Sequence, residues 1–229
     1  MNKQGNTYTI IYSIILVVLV AVLLSVIAMW LQPRQNENVE NEKRQNILNS
    51  VKIKSTREES KDIFAKFIVD QFVVNARGEK VEGENAFNID MAQQAQKSTE
   101  ERLLPVFVAE IEGNTKYILP VYGKGLWGPL WGYISLNDDK NTVYGTVFDH
   151  KGETPGLGAE ITTPDFQEQF IGKTIAENDK VVAIYVKKGK GNSGIHEVDA
   201  ISGGTITSQG VEKMLKTYLK CYEPFLLKK

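Results

Sequence analysis

The sequence predicts an α+β fold: antiparallel sheets with flanking helices, preceded by a single N-terminal transmembrane helix. Three observations carry this. Ile10 to Leu31 is an apolar run without a single charge. From Leu104 to Phe148, strand-like runs are joined by short turns, the pattern of antiparallel pairing. Near the C-terminus Val211, Met214, Leu215, Tyr218 and Leu219 recur at helical spacing and make one apolar face.

Each element follows from its residues. Residues 1–9 form a short polar tail. The run 10–31 satisfies the roughly 20 apolar residues needed to cross a bilayer. It is longer than the roughly 7–15-residue apolar core of a signal peptide, and Met29-Trp30-Leu31-Gln32-Pro33 is a poor cleavage site. A retained membrane helix follows, with Trp30 at an interface. Lys3 precedes the span and Arg34, Lys43 and Arg44 follow it, so charge leaves the orientation open. Residues 32–50 read as a polar linker or helix, and 51–229 as the remaining domain. Thr56-Arg57-Glu58-Glu59 matches a capping box, ahead of a helix face of Ile63, Phe64, Phe67 and Ile68. Ala76-Arg77-Gly78-Glu79 reads as a hairpin turn. Gly113-Asn114 reads as the next turn, and Asn137 to Lys140 joins Tyr133–Leu136 to Thr142–Phe148. Val181 to Val186 is strand-like, and Pro164 suits the first turn of a short helix. The C-terminal helix is expected to begin near Ser208, capped by Thr207 or Ser208.

Composition excludes several functions. The 229 residues carry a formal net charge of −1, which offers nothing to nucleic acid. A lone cysteine, Cys221, rules out an internal disulfide or a cysteine-held metal. His150 and His196 lack metal-ligand spacing, so no metal site is predicted. Ser202 has no G-x-S-x-G context, and neither a dinucleotide fingerprint nor a Walker loop is present. Lys187 to Gly191 is a charge run in a turn.

Three glycine-rich segments remain. Tyr122 to Trp131 combines three glycines with Lys124, Leu126 and Trp127. A large aromatic or leucine suits a flat ring and a lysine suits an anion; the structural alternative is a turn with core tryptophans. His150 to Glu160 contains Pro155-Gly156, a tight-turn pair, with Glu153 and Thr154 as polar groups beside Leu157 and Gly158. Asp199 to Ser208 sets Ser202, Gly203, Gly204, Thr205 and Thr207 where a helix begins. Free N–H groups and the helix dipole there favour a phosphate. The alternative is an ordinary capped loop.

Taken together the segments resemble a known family. Asp199-Ala200-Ile201-Ser202-Gly203-Gly204-Thr205 is similar to the D-x-x-[ST]-G-A-T flavinylation motif of FMN-binding domains, with Gly204 where that family usually has alanine. Gly123 to Tyr133 and Gly152 to Ile161 resemble its companion segments. Order, span and length resemble the C subunits of Na+-translocating NADH:quinone reductases. The G subunits of Rnf electron-transport complexes share the span, the motif and the TPGLG loop, but GKGLWGPLWGY is more like the quinone reductases. The resemblance implies FMN joined to Thr205 through a phosphoester, serving as an intermediate electron carrier from NADH to quinone coupled to Na+ export. It implies no catalytic side chain beyond the flavin. Trp127, Leu126 and Leu157 would line the ring's slot, with Glu153, Thr154 and Lys124 as polar contacts. Asp199 would serve recognition by an FAD:protein FMN transferase. The partners implied are the other reductase subunits, that transferase and the bacterial inner membrane, with the FMN domain extracytoplasmic. A different class remains open: a membrane-anchored interaction or assembly domain without cofactor.

Overall fold

The computed structural model describes residues 5–189 and 194–228. The chain divides into two compact units, 1–43 and 44–229. The first unit belongs to helix α1 (Asn6–Ser50), which stays helical through Pro33 and the polar stretch after it. Among the described residues it is the one helix long and apolar enough to cross a membrane. Its apolar side chains from Ile10 to Trp30 are exposed, as a lipid-facing helix requires.

The second unit is built on a six-stranded sheet. Its strands are β1 (Ile68–Val74), β2 (Lys80–Val81), β3 (Leu104–Ile111), β4 (Asn114–Lys124), β5 (Pro129–Leu136) and β6 (Val143–His150). They lie in the order β2-β1-β3-β4-β5-β6, and every neighbouring pair is antiparallel. Side chains alternate between two buried faces. Val106, Leu119 and Ile134 face one core; Phe107, Ile118 and Tyr133 face the other. The second face is covered by Ile47 and Val51 near the end of α1, and by Phe64 of α2 (Ser60–Phe67).

The first face is covered by the C-terminal helix α5 (Thr205–Leu226), which buries Val211, Leu215, Tyr218, Leu219 and Tyr222. Burying a large apolar side chain contributes about 1.5–3 kcal/mol, so this face is a main source of stability. Tyr222 also satisfies the sheet where prolines interrupt it. Its hydroxyl donates to the carbonyl of Pro105 at 2.7 Å, with a longer contact to that of Pro120.

The remaining elements are short: α3 (Met91–Gln96), α4 (Pro164–Gln167), β7 (Ala176–Glu177), β8 (Lys180–Val181), β9 (Tyr185–Lys187) and β10 (Glu197–Asp199). Asp90 caps α3, accepting from the Ala92 and Gln93 N–H groups. Pro164 opens α4 as expected.

Several local expectations change. The β3–β4 turn lies at Glu112-Gly113, not Gly113-Asn114, because Ile111 pairs with Asn114 and the two residues between take positive φ of 51° and 76°. The Thr56–Glu59 bonds form, but they close a turn ahead of α2, whose first residue is Ser60. The same helix ends at Phe67, so Ile68 belongs to β1. The run Val181–Val186 is not one strand. Ala183 at φ 61° breaks it between β8 and β9, and β9 pairs with β10 in parallel. In the charge run Lys187–Gly191, Lys190 and Gly191 lie outside the described residues.

Candidate functional site

The three glycine-rich segments meet at the start of α5. The first is a hairpin. β4 continues to Lys124 and β5 resumes at Pro129, leaving a tip of Gly125 to Gly128 closed by a 2.8 Å backbone bond between its end residues. The second follows β6. Its Thr154 carbonyl accepts from the N–H groups of Leu157 and Ala159, both at 3.1 Å, which curls the Pro155-Gly156 segment into a compact turn. The third enters α5 through Gly203, whose φ of 76° suits glycine.

The helix begins at Thr205, not near Ser208. Gly204 is its N-cap residue, without a side-chain cap, and the Ser208 N–H already donates to the Gly204 carbonyl at 2.9 Å. Thr207 and Ser208 therefore lie inside the first turn and cap nothing. Both are buried and engaged in holding loops. The Thr207 hydroxyl donates to Glu153 Oε2, and Ser208 Oγ accepts from the Ile201 N–H at 3.1 Å.

A cleft of about 220 Å³ opens here. Leu126 comes from the hairpin tip, and Glu153, Thr154, Leu157 and Gly158 from the second loop. Gly203, Gly204, Thr205 and Thr207 complete it from the third. Ile206, which sequence reasoning missed, lines it too. Its signal was an apolar residue off the buried stripe of α5, beside the motif. Leu126, Leu157 and Ile206 are 46%, 42% and 53% exposed, so the cleft has an open apolar rim.

Four predicted site residues stay off the lining. Lys124 ends β4 with an exposed side chain. Its carbonyl lies against Gly210, where an added Cβ would come within 2.6 Å. Ser202 is exposed in the turn before α5. Trp127 is 69% exposed at the hairpin tip, so it is no core residue, and its backbone N–H donates to Glu153 Oε1 at 2.9 Å. Asp199 ends β10, where its N–H donates to Gln169 Oε1 at 2.8 Å. Gly204 is tightly placed: a Cβ there would come 2.9 Å from Ile201 Cγ2 and 3.2 Å from the Leu157 carbonyl carbon. A larger cavity of about 1000 Å³ lies between Asn46–Ser55 and β6, and none of the predicted site residues lines it.

The arrangement fits a flavin held by its phosphate. The first N–H groups of a helix have no internal acceptors, and α5, with 22 residues, presents its positive end there. Gly203 and Gly204 add no side chain of their own where Leu157 and Ile201 already pack closely, and the open rim offers apolar surface to a flat ring.

Comparison with known proteins agrees. Residues 125–220 match the family model of the FMN-binding domain. The chain is 34% identical to the C subunit of the Na(+)-translocating NADH-quinone reductase of Pasteurella multocida, over 99% of this chain and 95% of that one. With the corresponding Vibrio alginolyticus protein it shares 33% identity, over 91% and 89%. A crystal structure of the same reductase component from Parabacteroides distasonis superposes with a TM-score of 0.81 at 47% identity, covering 87% of this chain and 98% of that one. NqrC of Shewanella oneidensis superposes with a TM-score of 0.69 at 27% identity, covering 82% and 95%. Sequence over almost the whole length and fold over more than four-fifths of it thus point the same way, and the chain belongs to the NqrC family, the C subunits of the Na(+)-translocating NADH-quinone reductases.

Proposed function

We propose that this chain carries FMN on Thr205 through a phosphoester and relays electrons within the reductase, from NADH towards quinone, in a reaction coupled to Na+ export. One observation carries the attachment point. Of the four neighbouring hydroxyls, those of Thr207 and Ser208 are buried and hydrogen-bonded to the loops packed against the helix start. Ser202 is exposed but does not line the cleft. Thr205 alone is both partly exposed and part of the cleft wall, at the first position of α5.

Attachment is a group transfer. The Thr205 hydroxyl oxygen attacks the FMN phosphorus of FAD, the P–O bond to AMP breaks, and the hydroxyl proton leaves with base or solvent. An FAD:protein FMN transferase would supply the catalysis, with Asp199 serving its recognition of the loop. Once joined, the flavin supplies electron transfer. The residues of this chain would bind and orient it: the α5 N–H groups would hold the phosphate, and Leu126, Leu157 and Ile206 would offer apolar surface to the ring. Trp127 and Lys124, on the hairpin either side of Leu126, are both exposed and would serve as an aromatic and a cation towards the flavin. Residues 10–31 would lie in the membrane and the 51–229 domain on its extracytoplasmic side, where a covalent bond prevents loss of the cofactor.

The test is peptide mapping of chain produced together with the transferase. The Thr205 peptide should be heavier by FMN less one water, the sample yellow, and Thr205→Ala colourless yet folded. An adduct on Ser202 or Thr207 would refute the attachment point. Colourless protein in the presence of active transferase would favour a cofactor-free assembly domain.

A further inference from the structure

Glu153 has a position that binding a ring does not explain. Among the described residues, Glu153 and Lys116 are the charged side chains that are buried, and Glu153 is only 4% exposed. A carboxylate is costly to bury without partners. Its two oxygens are divided between two different elements. Oε1 accepts the Trp127 N–H at 2.9 Å, and Oε2 accepts the Thr207 hydroxyl. Its own N–H donates to His150 Nδ1 at 3.1 Å, tying it to the end of β6. Two glycines make room for it. A Cβ on Gly125 would come 2.5 Å from Oε1, and one on Gly158 would come 2.7 Å from Oε2.

We propose that Glu153 is a positioning residue that latches the two walls of the cleft together. One wall is the hairpin tip, which bears Leu126 and Trp127. The other is the first turn of α5, which bears Thr205 and Ile206. Neither wall is rigid alone: the tip is a four-residue turn, and the first turn of a helix without a side-chain cap frays readily. Joining both to one buried carboxylate keeps the apolar rim and the Thr205 hydroxyl at a constant spacing. This also accounts for the commitment of Thr207, whose hydroxyl belongs to the latch. The consequence for the flavin rests on the function proposed above; the latch itself does not.

The two are therefore tested separately. In the full-length, unmodified chain, hydrogen exchange at the Trp127 amide should be slow. Glu153→Ala should speed it at least tenfold, because the acceptor is gone. Glu153→Gln should fall between, since one amide oxygen can still accept. In chain made with the transferase, Glu153→Ala should lose at least half of the visible circular dichroism of the flavin while the adduct mass at Thr205 persists. Unchanged Trp127 exchange together with unchanged dichroism would overturn the proposal. If Glu153→Ala fails to fold, Thr207→Val removes only the helix-side bond. It should still weaken the dichroism, and an unchanged signal there would equally overturn the latch. If no adduct forms on Thr205 even in the unsubstituted chain, the proposed function fails, and the exchange measurement alone decides the latch.

Discussion

Trp127 shows how far a single residue can be read. Its place beside glycines and Lys124 suggested either a ring neighbour or a core side chain. The structure discards the core, because 69% of it is exposed at a hairpin tip. An exposed tryptophan at a hairpin tip gains little from its position unless something covers it. Trp127→Ala should therefore leave folding stability nearly unchanged while shifting the visible spectrum or the potential of the attached flavin. Thermal melting and a redox titration on the same sample check this. A stability loss with an unaltered flavin would contradict it. The motif position offers Thr205, and the sequence sets Thr207 and Ser208 aside as helix caps. The structure engages these two hydroxyls differently: they cap nothing, and their partners are Glu153 Oε2 and the Ile201 N–H.

At the scale of elements, helix and strand periods were readable, while their ends were not. The apolar stripe of α5 emerged from spacing alone. Its start was expected three residues too late, because threonine and serine suggest caps and Gly204 does not. The close approach of α5 to β4 was likewise hidden. Gly210 sits in the helix where alanine would normally be preferred by about 1 kcal/mol. A Cβ there would press within 2.6 Å of the Lys124 carbonyl and 3.1 Å of Leu130 Cδ1. Gly210→Ala should thus destabilise the domain, by about 1–3 kcal/mol in urea unfolding, as overpacking does. A gain in stability would show that the helix–strand contact is looser than it looks.

The β5–β6 turn gives a prediction in pH. Asp139 is exposed, but the desolvation its carboxylate does undergo raises its pKa. Bonds from the Thr142 hydroxyl and from the Thr142 and Asn141 N–H groups outweigh this and hold it below the usual aspartate value. A lowered pKa in the folded state stabilises above the unfolded value of about 3.9 and is lost as pH falls through the folded one. Relative to the unsubstituted chain, Asp139→Asn should be less stable at pH 6, and the difference should shrink towards pH 2–3. Urea midpoints at both pH values test it, and a difference independent of pH would refute it.

For the whole molecule, the two units predict separable behaviour. The second unit, 44–229, contains both hydrophobic cores. Removing the first 43 residues should leave a domain that is soluble without detergent and has the same melting temperature within a few degrees. Aggregation, or a large fall in that temperature, would show that the earlier turns of α1 are needed. Composition and periodicity were enough for the membrane-length run, the antiparallel α+β class, the amphipathic face of α5 and the three motif segments. These are local properties, written in neighbouring residues whose burial repeats every two or 3.6 positions. The sheet order, the parallel β9–β10 pair, the helix start and the partners of the Thr207 and Ser208 hydroxyls belong to the tertiary structure. They depend on groups distant along the chain, such as Glu153 and Thr207, 54 residues apart. No local pattern encodes that pairing. A buried carboxylate and a buried hydroxyl find each other only once the sheet has brought their loops to one end of α5.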